Sequence, residues 1–580
     1  MPTPSLIQRL KERKLVQWAL AYLAGAWALV ECVGFLGDQF GWPPVVPQVV
    51  TILAAFGFFV ALVMAWYHGE KGQQRVSGAE LMMIAALLAI AAGVLGIWSR
   101  GGTTEASIQP EPYTPGAVED FGLPSIAVLP FADMSPDGDQ EFFADGIAEE
   151  ILNSLAQVSG LRVAARTSAF VFKGADTDIR EAGERLGVRS VLEGSVRKEG
   201  NRVRVTAQLI DVQDGFHVWS ETFDRELESV FEIQDEIARE VVTALEVELL
   251  GERPSNLASA RQTSPEAYQA YLRGRLAFND WTAVGRRRGL EQLEWAFELD
   301  PSFGPALASL ALALFMVGFF VLVRFRDAVP VAKESARRAL ELDPGLSEAH
   351  AVLGYAALYH DWDWASAEVA LERALELNPG DAFARHGMAD LLTVLGDADG
   401  GVRQVELGRQ ADPLSLLANV VVAGHLLFAR RYEDVIAQVG YLRDLYRNLP
   451  NAGADFIASA LWELDRFEES LEEYVKVWPG DPGVLAAIQE GDGQGGPPGA
   501  MRAVAEHLIG QYEDGGALAF EIARCFARGG EHEEALDWLE RGYEDRLPES
   551  LHVVFYPDFD GIREEPRFRD LLTGMGIPTG

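Results

Sequence analysis

Four segments of the chain close on the same short pattern: WAFELDP ends at Pro301, RALELDP at Pro344, RALELNP at Pro379 and GRQADP at Pro413, with spacings of 43, 35 and 34 residues. Counted back from each proline, Ala296, Ala339, Ala374 and Gly408 share one position, and Ala332, Ala367 and Gly401 share another seven residues earlier. Small residues at fixed places let paired helices approach closely. One such unit is too small to bury its own apolar face, so the units must stack on one another. This half of the chain is therefore expected to be an elongated, all-helical array.

A period of ~34 residues with a closing proline is that of tetratricopeptide units. The nine residues in excess between Pro301 and Pro344 fall where MVGFFVLVRF stands, overlapping the end of an uncharged run from Ala306 to Val323. At ~18 residues such a run could also cross a membrane. The repeat register on both flanks favours a lengthened, buried helix–turn element, because a crossing would place the later repeats on the opposite side from the first. Weaker units follow at Ile457-Ala458, Ser470 and Pro482, and at Ile522-Ala523 and Ala535. This gives about seven units over 265–547, interrupted by EGDGQGGPPG, which reads as a flexible linker, and followed by a closing segment at 548–580.

The N-terminal hundred residues differ in character. Three apolar runs, near 15–36, 45–67 and 81–98, each have the length of a bilayer core, with tryptophans towards their ends. Basic residues cluster in RLKERK before the first run and in HGEKGQQR before the third, and none lies in GDQFGWPPVVP. The positive-inside rule then expects three transmembrane helices, a cytoplasmic N-terminus, and everything after about residue 100 outside the cytoplasm of a bacterial inner membrane. A polar, proline-bearing linker covers 101–122.

Residues 123–250 alternate between strand and helix signals. SIAVLPF reads as a strand and FFADGIAEEILNSLAQV as a helix, with Ile147, Ile151, Leu152 and Leu155 on one face. LRVAARTSAFVF reads as a strand and DIREAGERLGV as a helix. Three further strands follow, the first two joined at Glu199-Gly200-Asn201, and a last helix runs over about 230–249. The stretches IAVLPFADMSPDGDQEFFADGIAEEILNSLAQVSGLRVAARTSAF and LGVRSVLEGSVRKEGNRVRVTAQLIDVQDGFHVWSETFDR resemble the TolB amino-terminal-like (FlgO-like) domain. LKERKLVQWALAYLAGAWALVECVGFLGDQFGWP resembles the membrane segment that opens many such proteins, and tetratricopeptide repeats often follow the domain. The resemblance implies a non-catalytic domain with no active-site residues to transfer. Some proteins of this kind carry a cyclase, kinase or winged-helix output domain before the membrane segment; here about fifteen residues precede it, so no output domain is expected.

The fold class expected is thus multi-domain: three transmembrane helices, a small α/β domain and an all-α superhelix. With 49 basic against 87 acidic residues the net formal charge is −38, which argues against nucleic acid as a partner. Two cysteines, Cys32 and Cys525, form neither a disulfide framework nor a zinc cluster. Asp133, Ser135, Asp137, Gly138 and Asp139 approach calcium-loop spacing, but Ala144 stands where a bidentate glutamate is required, so a turn is expected. The nine histidines are scattered, and no catalytic, cofactor or metal residues are expected. The expected function is a membrane-anchored scaffold for a protein partner, whose basic surface would complement the acidic chain. Tyr268, Tyr271 and Arg275 on the first repeat helix are the candidate partner contacts; packing against the preceding domain, or facing water, is the other role open to them. A ligand-sensing receptor or enzyme with a pocket between the α/β domain and the repeats is the competing function.

Overall fold

Ser125–Val128 is short, apolar and buried along its whole length, as a strand covered on both faces must be. In the computed structural model this strand, β1, seeds the sheet. The structure describes residues 113–114 and 123–577, apart from short stretches at 159, 175–177, 227–229, 246–262, 279–281, 321–322, 513–517 and 545. The three apolar N-terminal runs and most of the 101–122 linker lie outside the described residues. Among the described residues no helix is long and apolar enough to cross a membrane.

After β1 come β2 (Ala132–Asp133), α1 (Glu141–Ala156), β3 (Arg162–Val163), α2 (Arg166–Ala169), α3 (Ile179–Leu186), β4 (Ser190–Glu199), β5 (Arg202–Asp211), β6 (His217–Glu226) and α4 (Val230–Ala244). The sheet order is β3-β1-β4-β5-β6, with β2 alongside β4. Pairing is parallel between β1 and both β3 and β4, and antiparallel through β4, β5 and β6. Glu199 faces Arg202 across a two-residue turn, where Gly200 takes φ 60°, the position a type II′ turn reserves for glycine. Asp133, at the end of β2, accepts from the amides of Ser135 and Gln140 at 2.8 Å each. Its carboxylate thus orders the turn leading into α1.

The strand expected over 161–172 is corrected to two residues of β3, followed by α2 and a 3₁₀ turn at Phe170–Phe172. The chain leaves the sheet because its backbone is taken elsewhere: the Ala165 amide donates to the Ala411 carbonyl oxygen at 2.7 Å, in the repeat region. Tertiary pairing overrides the β propensity of the valines and phenylalanines here.

The repeats form antiparallel helix pairs: α5 (Pro265–Phe278) with α6 (Ala283–Leu299), α7 (Gly304–Phe319) with α8 (Phe325–Leu342), α9 (Ser347–Ala356) with α10 (Trp364–Leu377), and α11 (Ala382–Val394) with α12 (Ala398–Ala411). Next come α13 (Leu416–Phe428) with α14 (Tyr432–Leu445), and α15 (Ala454–Glu463) with α16 (Phe467–Val477). The turn inside successive pairs is set by one left-handed residue, in turn Trp362, Gly396, Arg430, Asp465, Gly496 and Gly530. These recur at intervals of 34, 34, 35, 31 and 34 residues, so the backbone repeats even where the sequence pattern fades.

The excess residues of the second pair lengthen its helices. α7 and α8 have 16 and 18 residues, against 13 and 14 for α11 and α12. The apolar run lies largely inside α7, where Ala306, Leu310, Ala313 and Phe315 are buried. Phe315 meets Phe325 and Tyr355 edge-on, with ring centroids 5.7 Å apart in each case.

The tract read as a flexible linker is corrected to a helical hairpin. Residues Pro482–Tyr512 form α17, broken at Gly495 and Gly496 into two arms. A Cβ on Gly491 would stand 2.3 Å from the Gly499 carbonyl oxygen, and one on Gly499 would stand 2.4 Å from that of Gly491. Glycine at both places lets the arms cross backbone to backbone. With α18 (Ala519–Gly529) and α19 (His532–Glu544), the described residues contain eight pairs. Two 3₁₀ segments, Pro548–Val554 and Pro557–Ile562, and α20 (Pro566–Gly574) complete the chain.

One core serves both regions. Ile126, Ile147 and Ile151 of the α/β unit belong to the same apolar cluster as Tyr268, Leu272 and Phe303 of the repeats. Gly146 on α1 permits this contact, since a Cβ there would meet the Leu272 side chain at 2.5 Å.

Candidate interaction face

The three residues expected to contact a partner are used internally. Tyr268 and Tyr271 are buried on α5. Gln234 donates to the Tyr268 hydroxyl at 2.7 Å, and Tyr271 donates to Glu150 at 3.1 Å. Arg275 Nε donates to Glu149 Oε1 at 2.7 Å, and Arg166 Nε lies 2.7 Å from the other oxygen of that carboxylate. Burial raises the pKa of Glu149, but the two guanidinium groups outweigh it and hold the carboxyl below its ordinary value. From Arg275 the network continues through Ser309 at 3.0 Å to Glu348 at 2.7 Å. Of the roles left open to them, these side chains take packing against the preceding domain, and they lock the α/β unit onto the first three helix pairs.

A second lock lies further along. Ser168 donates to Asp412 at 2.5 Å and accepts from the Leu414 amide at 2.7 Å. Leu414 and Leu445 join the apolar cluster of Ala127, Ala164 and Val191. Burial raises the pKa of Asp412 above the usual carboxylate value. The α/β unit therefore grips the array both at its first pair and at the junction of the fourth and fifth.

At the third, fifth, sixth and eighth pairs, the first helices and the turns that follow them carry the chain's own C-terminal segment. Trp364 donates to the Gly576 carbonyl oxygen at 2.9 Å, and Tyr359 meets His552 edge-on. Phe428 packs against Phe555 and Tyr556, at 5.0 and 5.4 Å between centroids. Arg430 donates to the Phe555 carbonyl oxygen at 2.7 Å and pairs with Asp560 at 2.8 Å. Asp455 accepts from the Tyr556 hydroxyl at 2.9 Å, and Arg528 lies 2.5 Å from Asp558. Aromatic side chains thus supply area while arginines fix the backbone and its acidic groups, a combination that holds polypeptide.

Within this face the fold assembles a group that the sequence leaves dispersed. His386 and Asp390 stand one turn apart on α11, and His425 comes from α13. Each imidazole Nε2 lies 3.4 Å from an Asp390 carboxylate oxygen. Tyr359 donates to Asp390 Oδ2 at 2.6 Å. The only sequence signal was the i, i+4 spacing of His386 and Asp390, because His425 belongs to the next repeat.

Residues 123–240 match the second domain of HilA/YgeH-like transcriptional regulators. A putative adenylate cyclase 3 from Rhizobium meliloti (strain 1021) is 46% identical over 189 residues, which are 33% of this chain and 32% of that protein. The chain thus spans about a third of the length of the curated relative it matches. Among solved structures, a thermophilic TPR protein of Thermus thermophilus is 19% identical with a TM-score of 0.29, covering 34% of this chain and 99% of that one. Yeast Tom70 is 12% identical with a TM-score of 0.33, covering 96% of this chain and 99% of that one. Overlaps this low carry no argument, and the assignment of helical repeats rests on the eight pairs themselves.

Proposed function

We propose that the chain is a membrane-anchored, non-catalytic scaffold that binds a protein partner through the first-helix face of its repeats. The observation that carries this reading is the seating of residues 548–577 on that face: the surface already holds a polypeptide by tilted and edge-on aromatic contacts, backbone carbonyl contacts and buried arginine–carboxylate pairs. A partner segment with aromatic and acidic residues would use the same contacts. The three apolar N-terminal runs provide the anchor, in a bacterial inner membrane with the repeats outside the cytoplasm.

The α/β unit is read as a TolB amino-terminal-like (FlgO-like) module. Its match to a domain of transcriptional regulators, together with the stretch shared with a putative cyclase, supports a place in an envelope signalling or assembly system. The receptor or enzyme reading draws no support from the joint between α/β unit and repeats, where Glu149, Arg166 and Arg275 fill the space with ion pairs.

The test is cross-linked co-purification of the full chain from intact cells, followed by rebinding of the captured protein to purified full chain. Truncation after Leu250 would cut through the shared core, so competition is the cleaner control. Saturable rebinding that a peptide spanning residues 548–577 competes away is the expected result. Absence of any capture above background, or rebinding indifferent to the peptide, overturns the reading.

A further inference from the structure

His425 Nδ1 lies 3.0 Å from the Val421 carbonyl oxygen. A carbonyl can only accept, so Nδ1 carries the proton, and in the neutral ring Nε2 presents a lone pair. That lone pair faces Asp390 Oδ1 at 3.4 Å, inside a ring that is 1% exposed, and Nε2 has no hydrogen-bond partner. Two acceptors opposed in a buried place are unfavourable unless a cation lies between them.

The distances distinguish the kinds of cation. A proton shared between imidazole and carboxylate would draw the pair to about 2.7–2.9 Å. Ligands bound to one tetrahedral ion at about 2.0–2.1 Å stand about 3.3–3.4 Å apart. His386 Nε2 stands 3.4 Å from Asp390 Oδ2 and His425 Nε2 stands 3.4 Å from Oδ1, so the carboxylate offers one oxygen towards each imidazole, and one ligand atom from each of the three residues lies within 4.8 Å of the other two. The supporting contacts have the form that surrounds metal ligands: Val421 fixes the tautomer of His425, and Tyr359 orients the carboxylate.

We propose that His386, Asp390 and His425 bind a divalent transition-metal ion of the Zn2+ type. Two imidazoles and one carboxylate suit a borderline ion, whereas Mg2+ and Ca2+ require oxygen ligands throughout. His386 is 23% exposed, so the site opens to solvent on its side, and water completes the coordination there. An ion held here ties the fourth pair to the fifth and, through Tyr359, to the third. Because the three ligands sit on two different repeats, neither spacing forms a metal motif in the sequence.

The test uses tag-free, full-length protein stripped with chelator and titrated with Co2+, then with Zn2+. Expected are one Co2+ per chain, the intense visible bands of four-coordinate Co2+, and their loss on adding Zn2+. His386→Gln and Asp390→Asn each weaken binding by more than the roughly 10–100-fold that loss of an outer contact costs. Weak six-coordinate bands, as surface carboxylates would give, overturn the proposal, as does binding that persists unchanged in both variants. The wild-type spectrum decides the matter even where a variant fails to fold.

Discussion

Arg528 and Asp558 form a buried ion pair across the first-helix face, with Nε of the arginine 2.5 Å from the carboxylate. Arg524 Nε stands 3.5 Å from the same carboxylate, and its guanidinium rests 4.1 Å above the Tyr556 ring. Asp558 therefore balances Arg528 and shares Arg524 with Asp455, whose carboxylate lies 2.7 Å from that guanidinium, and neither arginine has a route to water. The expected effect of Asp558→Asn is a loss of about 3–5 kcal/mol, because it strands buried positive charge. Urea denaturation of the full-length protein measures it, and limited proteolysis should cut residues 548–577 faster in the variant. An unchanged midpoint and cleavage rate would show that the closing segment is held by its aromatics alone.

Glu149 plays the corresponding part at the joint, shared between Arg166 and Arg275. Its folded pKa is depressed, so its stabilisation is complete above the ordinary value of 4.5 and is lost as pH falls through the lower folded value. Glu149→Gln is expected to cost about 1–3 kcal/mol at neutral pH, for want of a buried charge between two half-buried guanidinium groups. It should also remove part of the acid sensitivity below pH 4.5. A variant that keeps the wild-type acid limb would separate Glu149 from that transition.

Some of this organisation is legible in the sequence because it recurs. Ala296, Ala339 and Ala374 mark the helix contacts at one register, and strand alternation with Gly200 marks the hairpin. What stays hidden depends on partners distant in the chain. Tyr271 and Arg275 look like surface contacts because Glu150 and Glu149 lie 121 and 126 residues earlier. His386 and His425 read as scattered because stacking of successive pairs, which no local pattern encodes, brings them to one carboxylate. Gly491 and Gly499 read as a linker because glycine lowers helix propensity, whereas here their lack of a side chain is the packing feature.

Two other acids near the closing segment titrate in the opposite sense. Burial raises the Glu463 carboxyl to about 6 and the Glu521 carboxyl to about 7, with nearby carboxylates adding to the effect. A folded pKa above the unfolded value means that the folded state binds more protons between the two. Stability contributed by these groups is full below pH 4.5 and is lost as pH rises through 6 and 7. Thermal melts of the wild type are therefore expected to fall between pH 5 and pH 8, and Glu463→Gln should flatten that decline. A decline equally steep in the variant would place its origin elsewhere.

The glycines of α17 give a paired prediction of opposite sign. Gly491 faces the Gly499 carbonyl oxygen so closely that a methyl group must separate the arms, so Gly491→Ala is expected to lose about 1–3 kcal/mol. Gly493, two residues on in the same arm, has nothing within 4 Å of its notional Cβ. There alanine brings only its better helix propensity, and Gly493→Ala should gain up to about 1 kcal/mol. Urea midpoints of the two variants, measured side by side, check the crossing directly. If residues 491–499 were a flexible linker, neither substitution would move the midpoint; if the arms were helical but apart, both would raise it. Only a close backbone crossing at Gly491 lowers one and raises the other.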